Sequence, residues 1–232
     1  MSDVVSPSAH LGRRRFLTVG LGVAAGATMW AGGASGTAAA ASAPVPRDKA
    51  WRSGRTANGW SVLDDPQAFR IEGSDVVVAL RGGEVATVLL HVARRFHYEI
   101  DTLTAGEIAG HTVSRTVKEA YESNYLSGTA IAIRPGGYPV GARDGFFSHE
   151  LVVVRDILAE CEGVVRWGGD EATPKESHFQ IDVKPGDARL KALAARINGW
   201  SEAPSKGAGT VDALLPARRR AAQSMERRQR TS

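Results

Sequence analysis

The chain has one cysteine, Cys161, in 232 residues, so no internal disulfide can staple it. A domain of this size must then stand on its hydrophobic core. Cys161 ends the helical pattern Leu158-Ala159-Glu160-Cys161, where a small buried hydrophobe is expected rather than a reactive thiol. No Gly-x-Ser-x-Gly occurs, so Ser127, followed by Gly128, is not the nucleophile elbow of a serine hydrolase. No apolar run reaches the roughly 20 residues of a membrane span. The candidate, Val19 to Ala34, is shorter and rich in glycine. The body also lacks an excess of positive charge. Residues 44–216 carry 20 Lys and Arg against 23 Asp and Glu, which speaks against a basic nucleic-acid-binding body.

The positive charge sits at the ends instead. Arg13-Arg14-Arg15-Phe16-Leu17 precedes the apolar run, and small residues from Ala38 to Ala43 follow it. That order is the one found in secretory signals. The Arg-Arg-x-Phe-Leu pattern resembles a twin-arginine export address. Residues 1–43 are therefore expected to be a signal peptide, with cleavage between Ala40 and Pro44. The expected location is the periplasm, the exterior or the cell wall. At the other end, the last sixteen residues from Ala217 hold six Arg and one Glu. Residues 201–232 read as a Gly/Ser/Pro/Ala linker and a basic disordered tail, with a helix over Ala217–Ser232 as the alternative, one whose Arg side chains leave no apolar face. Such a tail suits an anionic wall polymer or a membrane surface, with salt-sensitive affinity.

Between the ends, residues 44–70 read as an extended arm, with Trp51 or Trp60 packing onto the domain. The domain itself is expected over 71–200. Val85, Val88, Leu89, Val92 and Phe96 mark one face of a helix from Glu84 to Phe96. Its acid at the start and Arg94-Arg95 at the end suit the helix dipole. His91 lies off that stripe and is expected in solvent, and His97 follows the helix as a possible cap. Strands are expected at Asp75–Leu80, His97–Leu103, Gly128–Ile133, Val164–Trp167 and His178–Val183. A helix capped by Ser148 should run from His149 to Glu162, and another capped by Asp187 should run to Ile197. Gly106 to Ser127 gives no clear period. Asn-Gly-Trp occurs at 58–60 and at 198–200, without a surrounding repeat. Short strands that do not alternate cleanly with helices predict an α+β fold, a small antiparallel sheet with flanking helices.

Two stretches carry a more specific signal. One is Ser123-Asn124-Tyr125-Leu126-Ser127-Gly128-Thr129-Ala130-Ile131-Ala132. The other is Arg166-Trp167-Gly168-Gly169-Asp170, then Lys175-Glu176-Ser177-His178-Phe179-Gln180-Ile181. Tyr138-Pro139-Val140-Gly141 and Phe146-Phe147-Ser148 lie between them. Together these resemble the zinc D-alanyl-D-alanine carboxypeptidases and L-alanyl-D-glutamate endolysin peptidases, which share the Hedgehog/DD-peptidase fold and cut peptidoglycan stem peptides. The likeness covers the region from about Thr112 to Val183.

The resemblance implies a zinc held by His and Asp of the first motif and His of the second. Here Tyr125 and Ala132 occupy the first two positions, and His178 is the one retained ligand. A catalytic zinc takes three protein ligands and a water, and one imidazole is too few. The family's acid/base carboxylate is replaced by Lys175. Gln180 stands for the glutamate after His-Phe. Glu176, one position off, is a possible substitute base. His111, His149 and Glu122 are the other conceivable repairs. Arg115 aligns near the arginine that grips a substrate carboxylate, a task suited to a bidentate cation. With Tyr125 and Lys175 it is a candidate substrate-binding residue.

The expectation is therefore an exported, wall-associated protein with a peptidase frame, non-catalytic and without a cofactor. Its partner would be a peptidoglycan stem peptide or another wall component. The alternatives are an active carboxypeptidase or endopeptidase with a rearranged zinc site, and a purely structural exported protein.

Overall fold

A computed structural model describes residues 47–203 and 212–231. The export signal and most of the linker fall outside the described residues. The centre of the domain is a four-stranded antiparallel sheet built from β4 (Ile108–Ala109), β6 (Ala130–Ile133), β8 (His178–Ile181) and β7 (Val165–Trp167), in that order. Two smaller pairings flank it. β1 (Lys49–Ala50) pairs with β5 (Thr116–Val117), and β2 (Gln67–Arg70) pairs with β3 (Val77–Leu80). The helices are α1 (Glu84–Glu99), α2 (Ser148–Glu160), α3 (Ala188–Ser201) and α4 (Pro216–Arg230). The architecture is α+β, a small antiparallel sheet with flanking helices. Among the described residues no helix is long and apolar enough to cross a membrane.

The side-chain alternation of strands, period two, decides what each face of the sheet does. Ile131, Ile133, Phe179 and Ile181 point to one face and are fully buried. They join Val88, Leu89, Val92 and Phe96 of α1, Val154, Ile157 and Leu158 of α2, and Leu193 and Ile197 of α3 in a single core. Ala130, Ala132, His178 and Gln180 point to the other face, where Ala130 pairs with Gln180 and Ala132 with His178. That face is covered by a 3₁₀ helix, Ala120–Tyr125, and by the arm.

Several elements differ from the sequence-based expectation. Helix α1 runs to Glu99, so His97–Leu103 is not a strand. The Arg95 guanidinium grips Glu99 four residues on and extends the last turn. His97 lies inside the helix, and its Nδ1 accepts from Leu103 N at 3.0 Å. Helix α2 starts at Ser148, with Phe147 as the cap residue, whose N–H donates to Glu150 Oε2 at 2.7 Å. The supposed arm is part of the fold: its end is strand β2, in register with β3 from Gln67–Leu80 to Arg70–Val77. The Trp60 indole N–H donates to Val183 O at 2.8 Å and the ring packs on the core. Cys161 is completely buried, as its helical setting predicts, and burial raises its thiol pKa.

The residues read as a disordered tail instead form α4. Ala222, Met225 and Gln229 turn inward at helical spacing. Ion pairs supplement this narrow stripe. Arg218 is bidentate to Asp156 at 2.8 and 2.7 Å, Arg155 of α2 meets Glu226 at 3.3 Å, and Arg230 meets Asp170 at 3.2 Å. Gln229 donates from Nε2 to Val165 O at 2.7 Å.

Beneath α4 lies the most heavily buried charge among the described residues. The Arg95 side chain is 0% exposed and meets Glu99, Asp156 at 2.8 Å and Glu160 at 3.0 Å. His91, expected in solvent, is buried instead, with Nε2 at 2.8 Å from Glu160 Oε2. Burial alone would raise the Glu160 carboxyl, but the His91 hydrogen bond and the Arg95 charge outweigh it and hold it at about 2. Replacing Arg95 by Ala strands three acids around a buried hole. We expect Arg95→Ala to lose about 3–5 kcal/mol of stability, read as a fall in the urea midpoint. A loss below about 1 kcal/mol would mean that solvent reaches the cluster after all.

Candidate functional site

The polar face of the sheet carries the site residues, and local geometry brings them together. The Glu122 carboxylate accepts from Lys118 N at 2.8 Å and Glu119 N at 3.3 Å, fixing the start of the 3₁₀ helix. This sets Tyr121, Asn124 and Tyr125 over β8. The chain then turns at Gly128, whose φ is 65°. A Cβ there would lie 2.6 Å from Arg81 N, so the turn needs glycine. On the other side, a Cβ on Gly168 would lie 2.5 Å from Lys175 O and 2.8 Å from His178 Cβ. Glycine lets the 168–175 loop close against the histidine.

His178 is 1% exposed. Its Nδ1 is 2.7 Å from the Tyr125 hydroxyl, and its Nε2 is 2.8 Å from Gln180 Oε1. Asn124 Nδ2 also donates to Gln180 Oε1, at 2.6 Å. A carbonyl oxygen only accepts, so Nε2 carries the imidazole hydrogen. Nδ1 then accepts from the Tyr125 hydroxyl. Both nitrogens are committed, and the ring is neutral. Burial lowers the His178 pKa to about 4, and the Lys175 charge adds to it against the opposing Gln180 hydrogen bond. Burial likewise pushes the Tyr125 phenol well above its ordinary value, helped by the Glu122 charge. The Tyr121 ring lies 4.9 Å from the His178 ring, with its hydroxyl donating to Thr173 O at 2.9 Å.

At the mouth of this chain Lys175 Nζ meets Glu122 Oε1 at 2.7 Å and lies 4.9 Å over the Tyr125 ring. Each of the pair's side chains is 12% exposed. Lys175 outweighs burial and lowers the Glu122 carboxyl pKa.

Of the residues predicted from sequence, Tyr125, Ala132, Lys175 and His178 come together. Arg115 and Glu176 have other partners. The Arg115 guanidinium donates to Ser53 O at 3.1 Å and Trp51 O at 3.4 Å, where it holds the arm. Glu176 accepts from Asp144 N at 2.9 Å and Gly145 N at 2.8 Å, bracing the loop before α2. His111 bonds Leu63 O, and His149 stacks on Phe147. Sequence reasoning missed the part played by Asn58. Its backbone N–H donates to Asn124 Oδ1 at 3.1 Å, and its Nδ2 to Thr129 Oγ1 and Ile181 O, both at 2.8 Å. The Asn-Gly-Trp triplet was its signal, as a turn that inserts an amide and an indole rather than as a repeat.

These residues do not fit a zinc ion. Ala132, opposite His178, offers no donor atom. Tyr125 ligates only as phenolate, which its surroundings disfavour. His178 has no free lone pair while both hydrogen bonds stand. Among the described residues no three His, Cys, Asp or Glu side chains are grouped to hold a metal. Comparison with known proteins finds no matching family model, curated protein or solved structure.

Two measurements probe the chain. Tyr125→Phe leaves Nδ1 of a buried imidazole without a donor, and should cost about 1–3 kcal/mol in urea unfolding. His178 also gives a pH dependence of known sign. The unfolded imidazole takes a proton near pH 6.5, the folded one near 4. Its contribution is complete above about pH 6.5 and is lost as pH falls to about 4, by roughly 3 kcal/mol. The stability difference between about pH 7.5 and about pH 4.5 should shrink in His178→Gln. An unchanged difference would mean that His178 titrates normally.

Proposed function

We propose that this chain is a non-catalytic, exported wall-associated protein that binds peptidoglycan stem peptides on a peptidase-like frame. The observation that carries the reading is the closed chain Tyr125–His178–Gln180–Asn124. Within it, Tyr125 and His178 stand at two of the three positions at which the resembled peptidases hold zinc, and the surviving histidine is satisfied by neutral partners. Hydrolysis needs an activated water and a base beside it. Of the acids beside the site, Glu122 is paired with Lys175, and Glu176 is engaged by backbone N–H groups.

Binding makes a smaller demand. Lys175 and Glu122 place one cation and one anion at the rim, partly open to solvent. A stem peptide carries carboxylates and, at its diamino acid, an amine, so the pair matches both charges. The motif likeness supplies the substrate class.

The protein purified without chelator should hold far less than one zinc per chain by elemental analysis, and release no D-Ala or D-Glu from muropeptides. Isothermal titration should still detect muropeptide binding, weakened about fivefold by Lys175→Ala and unaffected by chelator. Stoichiometric zinc with chelator-sensitive release would establish the enzyme reading instead. Absence of binding heat from a folded sample would remove the peptide partner.

The frame can be tested separately. Tyr125→His with Ala132→Asp puts two ligands beside His178, whose strand pairs with Ala132. This double variant should take up zinc, seen as a metal-dependent rise in melting temperature. No uptake would mean that the two motifs are not in the family's register.

A further inference from the structure

Helix α4 divides its arginines between two faces. The inward face carries Ala222, Met225 and Gln229, with Arg218 held by Asp156 and Glu160. At 100° per residue, Arg220 and Arg227 point away from that face, flanked by Arg219 and Arg228. All four are exposed, and none makes an ion pair to a described residue. The helix's single acid, Glu226, is taken by Arg155 and Arg230. Along about 13 Å of helix the exposed side thus presents two outward guanidiniums, Arg220 and Arg227, with Arg219 and Arg228 on its two opposite flanks. It is held rigid by a separate set of ion pairs on the inner side.

We propose that the outward face of α4 docks a linear phosphate-bearing polyanion, such as an anionic wall polymer, through the spacing of its arginines. Arginine suits phosphate because its fork donates two hydrogen bonds and never loses its charge. A bilayer fits less well. An interfacial helix must bury an apolar face in lipid, but Met225 and Ala222 of α4 are buried against the protein, and what α4 leaves exposed is small, Pro216, Ala217 and Ala221. Leu214 and Leu215 stand exposed before the helix, but two residues are not such a face. Sequence readout of a nucleic acid is not provided for either, since α4 has no aromatic side chain on which bases would stack. This face is separate from the Tyr125–His178 chain, so either proposal can fail alone.

The full-length protein is titrated with linear inorganic polyphosphate, with phosphatidylglycerol vesicles and with a single-stranded oligonucleotide of matched charge. Polyphosphate should bind, and its affinity should drop about 50-fold for a fourfold rise in salt, as expected for about four phosphate contacts on a single-stranded polyanion. Replacing Arg219, Arg220, Arg227 and Arg228 together by Gln should lower affinity at least about tenfold, with circular dichroism and melting temperature unchanged. Arg220→Glu alone tests the same face if the fourfold variant misfolds, and should lower affinity without moving the melting temperature. Wild-type affinity in these folded variants, or no polyphosphate binding by the wild type, would overturn the proposal. So would tighter binding to vesicles or oligonucleotide than to polyphosphate.

Discussion

The register of β6 on β8 fixes both faces of the sheet at once. With Ala132 opposite His178 and Ile131 opposite Phe179, the isoleucines and phenylalanine enter the helical core while the histidine enters the polar layer. A slip of one residue would put His178 among the core hydrophobics and Phe179 among the hydroxyls and amides. The core therefore disciplines the site. The polar layer cannot be rearranged without unpacking Ile131, Ile133, Phe179 and Ile181, all completely buried.

Given that register, the departures from the peptidase pattern form one consistent chemical set. An aspartate at 132 would be a buried anion beside a neutral imidazole, with no cation to compensate it, and that is costly. Alanine removes the problem. A tyrosine at 125 supplies the one hydrogen that Nδ1 needs, and Gln180 supplies a neutral acceptor for Nε2. The layer is then satisfied without charge, and the charges present, Lys175 and Glu122, neutralise each other at the rim. Asn58 closes the layer from the arm side. A buried polar network so completely paired is stiff.

The fold was legible wherever a period was backed by burial. The α1 stripe, the buried strand after Gly128 and the Asp187 cap all lie where local pattern and tertiary packing agree. Reading failed where ion pairs did the structural work. Tyr98, Ile100 and Thr102 alternate like a strand, but Arg95 closing on Glu99 carries the helix past His97. The α4 segment has almost no apolar stripe, and its docking depends on Asp156, Asp170 and Glu160, dozens of residues away. His91 lies off the apolar stripe yet is buried, paired with Glu160 and packed against Trp200. The site was half legible for a similar reason. The motif frame put Tyr125, Ala132, Lys175 and His178 together. Spacing could not show that Arg115 would be taken by carbonyls of the arm, or Glu176 by the N–H groups of a loop.

The same acids that bury Arg95 also organise α4, and this links the core to the outer surface. Asp156 and Glu160 face inward to Arg95 and outward to Arg218. With Glu99, three carboxylates share these two guanidiniums, and removing either arginine adds to the uncompensated negative charge at low dielectric. The helix is therefore held by a charge balance set in the core more than by its thin apolar stripe of Ala222 and Met225. Added salt screens exposed pairs far more than buried ones. The Arg218 contacts should persist at ionic strengths that already weaken any anion held by Arg219, Arg220, Arg227 and Arg228. A platform that stays docked while its ligand exchanges needs this separation of inner from outer arginines, and one uniformly solvated tail would not supply it.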